Sequence, residues 1–300
     1  MTNILIVGDG AIGLLLSYFL GSKHKVYVLT RKSPNKERFY TSRSQVAEKI
    51  NAHFISLSEL PSYPKFNNVL FTVKSFQVKP AFAQVKSHLS AQCAVVLSHN
   101  GMGNVEELIK ELNNRQPLYF LTTSMAALKI DHFSVKHTGE GQSFIGGYNE
   151  AAHNTALAIN RIFDSVPGLN VTQDIHRLRF EKLLVNIAIN PLTALYNVKN
   201  GQLCAPQYSS QIMNLLFEGC QIAKAQGLTI SLVEALNKAY HVMTLTAENH
   251  SSMHQDVIHN RPTEIMSICG YISEQGRRYS IKTPQNNELL NKILAKKNVD

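Results

Sequence analysis

The sequence of 300 residues predicts an α/β domain with a parallel sheet, followed by an all-α domain. Strand-like and helix-like segments alternate over the first half of the chain, as they do in parallel sheets with crossover helices. Beyond about residue 174 helical patterns dominate, over 175–196, 206–226, 231–249 and 263–279. The predicted domains are therefore 1–172 and 173–300, divided just after the turn signal of Pro167 and Gly168.

The N-terminus carries the pattern of a strand, a glycine turn and a helix. The apolar run 4–7 leads directly into Gly8-Asp9-Gly10-Ala11-Ile12-Gly13, and a second strand follows at 25–29. This is the pattern of a dinucleotide-binding βαβ unit, in which the first glycine permits the turn, the second admits a pyrophosphate and the third allows close helix packing. The helix N-terminus then offers free N–H groups to the phosphates. We expect these six residues to bind the cofactor.

The end of the second strand predicts which dinucleotide is bound. An NAD site usually places a carboxylate there, whereas this chain has Thr30-Arg31-Lys32. Arginine suits a 2′-phosphate because its planar fork donates to phosphate oxygens and keeps its charge. The sequence therefore favours NADP(H), with Arg31 as the phosphate contact.

Further strands are predicted at 68–73, 93–98 and 117–123, with helices over 76–90 and 104–113 between them and β-rich connections at 133–147. Ligands of parallel sheets bind beyond the carboxyl ends of the strands. The glycine turn, Arg31, Lys74 and Asn100 all follow predicted strands, so we expect them along one edge of the sheet.

A polar stripe crosses the predicted helix 175–196. Lys182, Asn186 and Asn190 recur every fourth residue among apolar neighbours, and four residues advance a helix by about 400°, so the three lie within roughly 80° of arc. Burying a lysine and two carboxamides is costly without polar partners. The stripe indicates a polar ligand, although packing of a helix end against loops would give the same pattern.

A second polar cluster follows at 249–264. Pro262 fits the first turn of a helix, which places Glu264 in that turn, where the helix dipole favours a carboxylate. Helix capping alone is the alternative explanation for Glu264.

Composition excludes several classes of protein. No apolar run reaches 18 residues and residues 1–20 lack the features of a signal peptide, so we expect a cytoplasmic protein without membrane contact. The four cysteines and 12 histidines show no metal-ligand spacing. The net charge of +9 comes with no long basic run, which argues against nucleic acid and suits anionic small molecules.

Taken together, these motifs resemble the ketopantoate reductase (2-dehydropantoate 2-reductase) family. The resemblance spans nearly the whole chain and rests on GDGAIG at 8–13, TVKSFQV at 72–78, HNGMGN at 99–104, HTGEG at 137–141, KLLVNIAINPLTAL at 182–195, and SSMHQD with RPTEI within 251–265. It implies NADPH-dependent reduction of ketopantoate to pantoate in pantothenate biosynthesis, on the way to coenzyme A. It also implies a Rossmann domain followed by a helical domain of the 6-phosphogluconate dehydrogenase C-terminal type, as a monomer or homodimer.

The resemblance also implies roles for individual residues. Lys182 matches the catalytic general acid of the family, and Glu264 matches the carboxylate that orients the substrate hydroxyls. Arg31 and Lys74 match contacts to the cofactor phosphates, and Asn100 is expected beside both cofactor and substrate. The matched substrate-binding groups are Asn100, Asn186, Asn190, Asn249 and Ser252.

Three positions depart from the family pattern, and they leave the substrate open. Phe180 stands where Trp is common, Met266 replaces an Asp, and Cys269 replaces a frequent Asn. Reduction of another 2-keto acid, an opine-type dehydrogenase and a non-enzymatic NADP-binding redox sensor are the alternatives. A sensor would have no need of Lys182 together with Glu264.

Overall fold

A computed structural model describes residues 2–42, 46–103 and 105–296 of the chain. Its contacts form two compact units, of which the first comprises Met1–His99 and Asn104–Ile175. The second comprises Asn100–Gly103 and His176–Asp300. Asn100 therefore groups with the helical residues, whereas the sequence had placed it in the N-terminal domain. The division after residue 172 stays a prediction, and Asn104, the predicted start of a helix, lies outside the described residues.

In its described residues, the first unit contains short strands and five α-helices. The strands are β1 Asn3–Val7, β2 Lys25–Leu29, β3 Phe39–Thr41, β4 Ala47–Lys49, β5 His53–Ile55, β6 Phe66–Phe71, β7 Leu89–Leu97, β8 Leu118–Thr123, β9 Ala126–Lys129, β10 Ser134–Gly139, β11 Ser143–Gly147 and β12 Leu169–Val171. The described helices are α1 Ala11–Gly21, α2 Val78–Val85, α3 Val105–Ile109, α4 Glu150–His153 and α5 Ala156–Phe163.

Eight of these strands form the main sheet, in the order β12-β11-β8-β7-β6-β1-β2-β5. Six neighbouring strands of this sheet run parallel to one another, namely β8, β7, β6, β1, β2 and β5. Strand β11 is antiparallel to β8. Along β1, Ile4 and Ile6 pack into one apolar layer, while Leu5 and Val7 pack into the layer on the opposite face. The strand order reverses at β1, which has β2 on one side and β6 on the other, and such a switch point is where open α/β sheets bind ligands.

A second sheet of four strands, in the order β4-β3-β10-β9, was not predicted. Residues 133–147 were expected to close the main sheet, but only β11 does so, because β10 pairs with β3 and β9 instead. The third predicted strand is β6, which ends at Phe71 and leaves Lys74 three residues beyond it. The predicted helix 76–90 is shorter, since α2 gives way to a 3₁₀ turn at Lys86–His88 and β7 begins at Leu89.

The second unit is helical. Its helices are α6 Ile175–Tyr196, α7 Ser209–Ala225, α8 Leu232–Leu245, α9 Ser252–Ile258, α10 Cys269–Tyr279 and α11 Pro284–Lys296. Helix α6 has the predicted bounds and carries much of the core. Helix α7 approaches it closely at Gly219, where a Cβ atom would lie 2.5 Å from the Leu184 side chain. The predicted fold class, a parallel-sheet dinucleotide-binding domain followed by a helical domain, is confirmed.

One predicted helix start is wrong. The pattern at 263–279 was expected to begin at Pro262, but the helix begins at Cys269. A 3₁₀ turn at Ile265–Ser267 precedes it, and Glu264 lies before that turn. The tertiary contacts explain the difference, because Ile265 and Ile268 are buried and the Ser267 carbonyl accepts a hydrogen bond from the Met102 N–H (2.8 Å).

Within the described residues, no helix is long and apolar enough to span a membrane. The same part of the chain holds no cluster of three or more His, Cys, Asp or Glu side chains placed to bind a metal ion. All four cysteines are free thiols, and burial raises the pKa of Cys93 to about 12 and that of Cys220 to about 11.

Candidate active site

The glycine turn after β1 is closely packed at Gly8 and Gly13 and open at Gly10. Gly8 has a φ of +117°, and a Cβ atom on Gly13 would lie 2.1 Å from the Gly8 carbonyl oxygen. Both positions are therefore restricted to glycine. A Cβ atom on Gly10 would meet nothing within 4 Å, so the turn is open on that side. No side chain caps α1 at Gly10, and the first N–H groups of the helix remain for an anion.

Asp9 is held by neighbouring side chains rather than pointing freely from the turn. The Thr30 hydroxyl donates to Asp9 Oδ2 (2.9 Å), and Lys129 Nζ donates to the Asp9 carbonyl oxygen (2.6 Å). Lys129 adds a positive charge beside the turn that the sequence did not indicate. It comes from β9, about 120 residues further along the chain, so no local pattern could have revealed it.

Arg31 lies exposed after β2, at the start of a loop that buries the next arginine. The guanidinium of Arg38 is fully buried between the rings of Phe54 (4.9 Å) and Phe133 (4.7 Å). It donates to the carbonyl oxygens of Lys32, Ser33, Lys36 and Glu37. The loop that follows the predicted phosphate contact is therefore anchored on Arg38 through four backbone carbonyl oxygens.

Lys74 lies at the start of a 3₁₀ turn, Ser75–Gln77, and is partly buried. Its backbone N–H donates to Gln77 Oε1 (3.3 Å). The glycine turn, Arg31 and Lys74 follow β1, β2 and β6, which are neighbours in the sheet, so all three lie at the same edge. These residues fit a phosphorylated dinucleotide.

The α6 stripe lies in the second unit and combines burial with polarity. Asn190 is buried, and Asn186 and Lys182 are partly buried. The Asn186 Nδ2 atom is buried and has no hydrogen-bond partner among the described residues. A buried amide donor without a partner costs free energy, so its position favours an acceptor that arrives with a ligand.

Lys182 has a perturbed ammonium group. Burial lowers its pKa from 10.5 to about 8. The negative charge of Glu264 opposes that shift, while the positive charge of Arg179 adds to it. A lysine with a pKa near neutrality donates a proton more readily than an exposed one, as a general acid must.

Glu264 is buried and faces Asn100. Asn100 Nδ2 donates to Glu264 Oε2 over 3.4 Å, a long hydrogen bond. The structure thus brings together two predicted site residues that are 164 positions apart, and both lie in the second unit. No helix begins at Pro262, since α10 begins at Cys269. The sequence-based explanation, in which Glu264 stabilises the first turn of such a helix, is therefore wrong.

Asn249 and Ser252 are exposed and lie around the start of α9. The N-cap is their neighbour Ser251, whose Oγ accepts from the His254 N–H (3.1 Å). The Thr193 hydroxyl of α6 donates to the same Ser251 oxygen (2.7 Å), one turn beyond Asn190. This bond fixes the start of α9 against the end of the polar stripe.

Arg179 is a further candidate site residue, which the sequence did not indicate. It is buried, and its Nη2 donates to the Gly101 carbonyl oxygen (3.0 Å). It lies three residues before Lys182, hence on the same side of α6. This spacing was visible in the sequence, but an arginine on a helix is ordinarily a solvated charge.

The three departures from the family pattern have different surroundings. Phe180 is fully buried, and its ring meets Tyr271 edge-on at 6.5 Å. Cys269 is also fully buried, whereas Met266 is exposed. Phe180 and Cys269 thus belong to the apolar core of the second unit.

The fold and the glycine turn define a class of protein: dinucleotide-dependent oxidoreductases with a helical C-terminal domain. Comparison with known sequences is more specific. The family models "Ketopantoate reductase PanE/ApbA" and "Ketopantoate reductase PanE/ApbA C terminal" match residues 4–150 and 174–297. The 2-dehydropantoate 2-reductase of Vibrio cholerae is 34% identical over 97% of this chain and 96% of its own length. The chain belongs to the ketopantoate reductase family.

Solved structures share the same fold. The probable 2-dehydropantoate 2-reductase of Bacillus subtilis has a TM-score of 0.81 at 27% identity, over 98% of this chain and 99% of its own. D-mandelate dehydrogenase, in a ternary complex with NADH and anilino(oxo)acetate, has a TM-score of 0.89 at 19% identity, covering 99% of this chain and 98% of its own. At that identity the second likeness concerns the fold alone.

Proposed function

We propose that this chain reduces 2-dehydropantoate to pantoate with NADPH, and that Lys182 is the general acid. The observation that carries the proposal is that buried Glu264 meets Asn100 in the same unit as Lys182, on which its charge acts, in a member of the ketopantoate reductase family. The relatives from Vibrio cholerae and Bacillus subtilis, whose names give the same reaction, support it.

Lys182 supplies charge and a proton. When a hydride adds to the carbonyl carbon of a 2-keto acid, negative charge develops on the carbonyl oxygen. The Lys182 ammonium stabilises that charge and then transfers a proton from Nζ to the oxygen, which yields the 2-hydroxy acid. The lowered pKa of Lys182, about 8, makes this transfer easier near neutral pH.

The remaining polar groups bind and orient the substrate. Glu264 accepts a hydrogen bond from the substrate hydroxyl, and it keeps Lys182 protonated by opposing the effect of burial. Carboxamide and hydroxyl donors bind the substrate carboxylate without adding net charge, and the orphaned Asn186 donor is the clearest of these. The proposed substrate-binding residues are Asn100, Asn186, Asn190, Asn249 and Ser252.

The cofactor site is proposed from residues of the first unit, and Asn100 is proposed as a further cofactor contact. Bound NADPH would supply the hydride. Residues 8–13 would hold its pyrophosphate at the N-terminus of α1, and Arg31 with Lys74 would contact phosphate oxygens. No carboxylate lies in the segment Thr30-Arg31-Lys32, which favours NADPH over NADH.

A second candidate is reduction of a different 2-keto acid. The departures at Phe180, Met266 and Cys269 favour including other branched 2-keto acids in any test. An opine-type dehydrogenase would in addition need an amine. A redox sensor would not need the Lys182–Glu264 pair.

The test is NADPH oxidation by the purified chain with ketopantoate and a panel of 2-keto acids, with and without amines. We expect the highest kcat/KM with ketopantoate, and a loss in kcat of about 10²-fold or more in Lys182→Ala. NADPH affinity, measured by fluorescence titration, should survive that change. A higher kcat/KM with another keto acid would reassign the substrate, and turnover within a few-fold of the parent in Lys182→Ala would remove the lysine from the chemistry.

A further inference from the structure

Arg179 places a second, permanent positive charge on the face of α6 that carries the proposed general acid. Residues three apart on a helix differ by about 300°, so Arg179 and Lys182 are about 60° apart around the axis. Arg179 and Asn186 are separated by seven residues and so differ by about 20°. Arg179 is only 5% exposed, and its charge acts on Lys182. A buried arginine needs compensating partners, and its surroundings show what it holds.

One of these partners is the backbone of Gly101. Arg179 Nη2 donates to the Gly101 carbonyl oxygen over 3.0 Å. From the other side, the Met102 N–H donates to the Ser267 carbonyl oxygen (2.8 Å). Gly101 has a φ of +79°, and a Cβ atom there would lie 2.4 Å from that same Ser267 oxygen. The short segment Asn100–Gly103 is therefore clamped between α6 and the 3₁₀ turn at Ile265–Ser267.

This clamp determines where Asn100 points. Asn100 adjoins the clamped glycine, and its side chain donates to Glu264, which directly precedes the 3₁₀ turn. We propose that Arg179 is a positioning residue of the site, which fixes the segment Asn100–Gly103 beside Glu264 and keeps a positive charge next to Lys182. This role of Arg179 in the reaction rests on the proposed function, because that function assumes that Lys182 donates the proton.

The two parts of this role lead to separable expectations. The charged groups that act on Lys182 are Glu264, which raises its pKa, and Arg179, which lowers it. Loss of the Arg179 charge therefore raises the pKa of Lys182 and moves the alkaline limb of kcat/KM to higher pH. Loss of the Gly101 hydrogen bond loosens Asn100 and lowers kcat/KM without moving that limb.

Two conservative variants separate these effects. Arg179→Lys keeps the charge but loses the planar fork, and Arg179→Gln keeps an amide donor but loses the charge. We expect each to lower kcat/KM by about tenfold, the effect of one hydrogen bond to a charged group. Only Arg179→Gln should move the alkaline limb upward. Arg177→Met is the matched control: Arg177 is exposed on the same helix, paired with Glu181, and we expect neither quantity to change.

A second measurement does not depend on turnover. Titration of ¹⁵N-labelled lysine by NMR, with the Lys182 resonance assigned from Lys182→Ala, reports the pKa of Lys182 directly. It should rise in Arg179→Gln and stay near the parent value in Arg179→Lys. An unchanged titration and an unmoved alkaline limb in Arg179→Gln would overturn the inference. A parent that reduces no keto acid would instead refute the proposed function, and the NMR titration would still decide the role of Arg179.

Discussion

Replacing Glu264 by glutamine tests the electrostatic coupling of the proposed site. The substitution preserves the shape of the side chain and an oxygen that accepts from Asn100, but it removes the charge that supports the Lys182 ammonium. An opposite charge nearby shifts a pKa by about 1 unit or more. Starting from about 8, the pKa of Lys182 should therefore fall to about 7 or below in Glu264→Gln.

The expected loss depends on pH. At about pH 7.5 the protonated fraction of Lys182 would fall from about three-quarters to about one-quarter, a loss of about threefold in the proton donor. At about pH 6 both proteins would be largely protonated, so this part of the loss would disappear. Weaker binding of the substrate hydroxyl lowers kcat/KM further, by a factor that is the same at every pH.

The assay is kcat/KM for ketopantoate measured across pH, with NADPH affinity measured separately. We expect the alkaline limb of Glu264→Gln to move to lower pH, opposite to the shift expected for Arg179→Gln, while NADPH affinity changes little. Glu274→Gln, which alters an exposed carboxylate of α10, is the control. A limb that stays in place or moves upward would refute the coupling between Glu264 and Lys182.

Two further predictions concern the cofactor and the stability of the second unit. Arg31→Ala should erase most of the preference for NADPH and leave NADH affinity nearly intact; equal affinities for the two cofactors in the parent would contradict this. His254 is buried between His250 (2.9 Å) and the Asn197 side-chain oxygen (2.7 Å), and burial, with the charges of His250 and Lys296, lowers its pKa below 6.5. Below pH 6.5 this histidine is therefore protonated more readily in the unfolded chain than in the folded protein. The free energy of unfolding thus falls as the pH decreases from 6.5 towards the pKa of folded His254. In urea unfolding, His254→Gln should be less stable than the parent at about pH 7.5, and this difference in free energy of unfolding should shrink as the pH falls to about 5.5. His241→Gln, which alters an exposed histidine, is the control. A difference between His254→Gln and the parent that does not change with pH would argue against the linkage.

Local sequence patterns predicted those elements whose own residues specify them. Helix α6 was predicted with its observed bounds because its apolar positions recur at helical spacing over 22 residues. Strand β2 was predicted equally well, since it is a short apolar run bounded by polar residues. The family resemblance then supplied roles that spacing alone left open, above all for Glu264.

The elements that were missed depend on distant residues. Strand β4 has only three residues, all exposed, and it is ordered by pairing with β3. Helix α11 begins at Pro284, and its first N–H groups are bound by the carboxylate of Glu218 from α7, through Gln285 (2.7 Å) and Asn286 (2.9 Å). Neither partner is visible in a local window. The same holds for Arg179, whose contact with Gly101 spans 78 positions.

The segment Asn100–Gly103 limits how modular this protein is. The chain enters the second unit at Asn100, leaves it after Gly103 and returns at His176, so that unit is not one continuous length of sequence. Met102 is 4% exposed and belongs to the apolar core of the helical unit. A fragment that starts at residue 173 would lack this side chain and would leave Arg179 without the Gly101 carbonyl. Exchange of either half with that of a relative would likewise combine the α6 of one protein with the Asn100–Gly103 segment of another. A residue that completes the helical core thus lies within the sequence of the sheet-forming half, so the helical unit cannot be excised as one continuous piece.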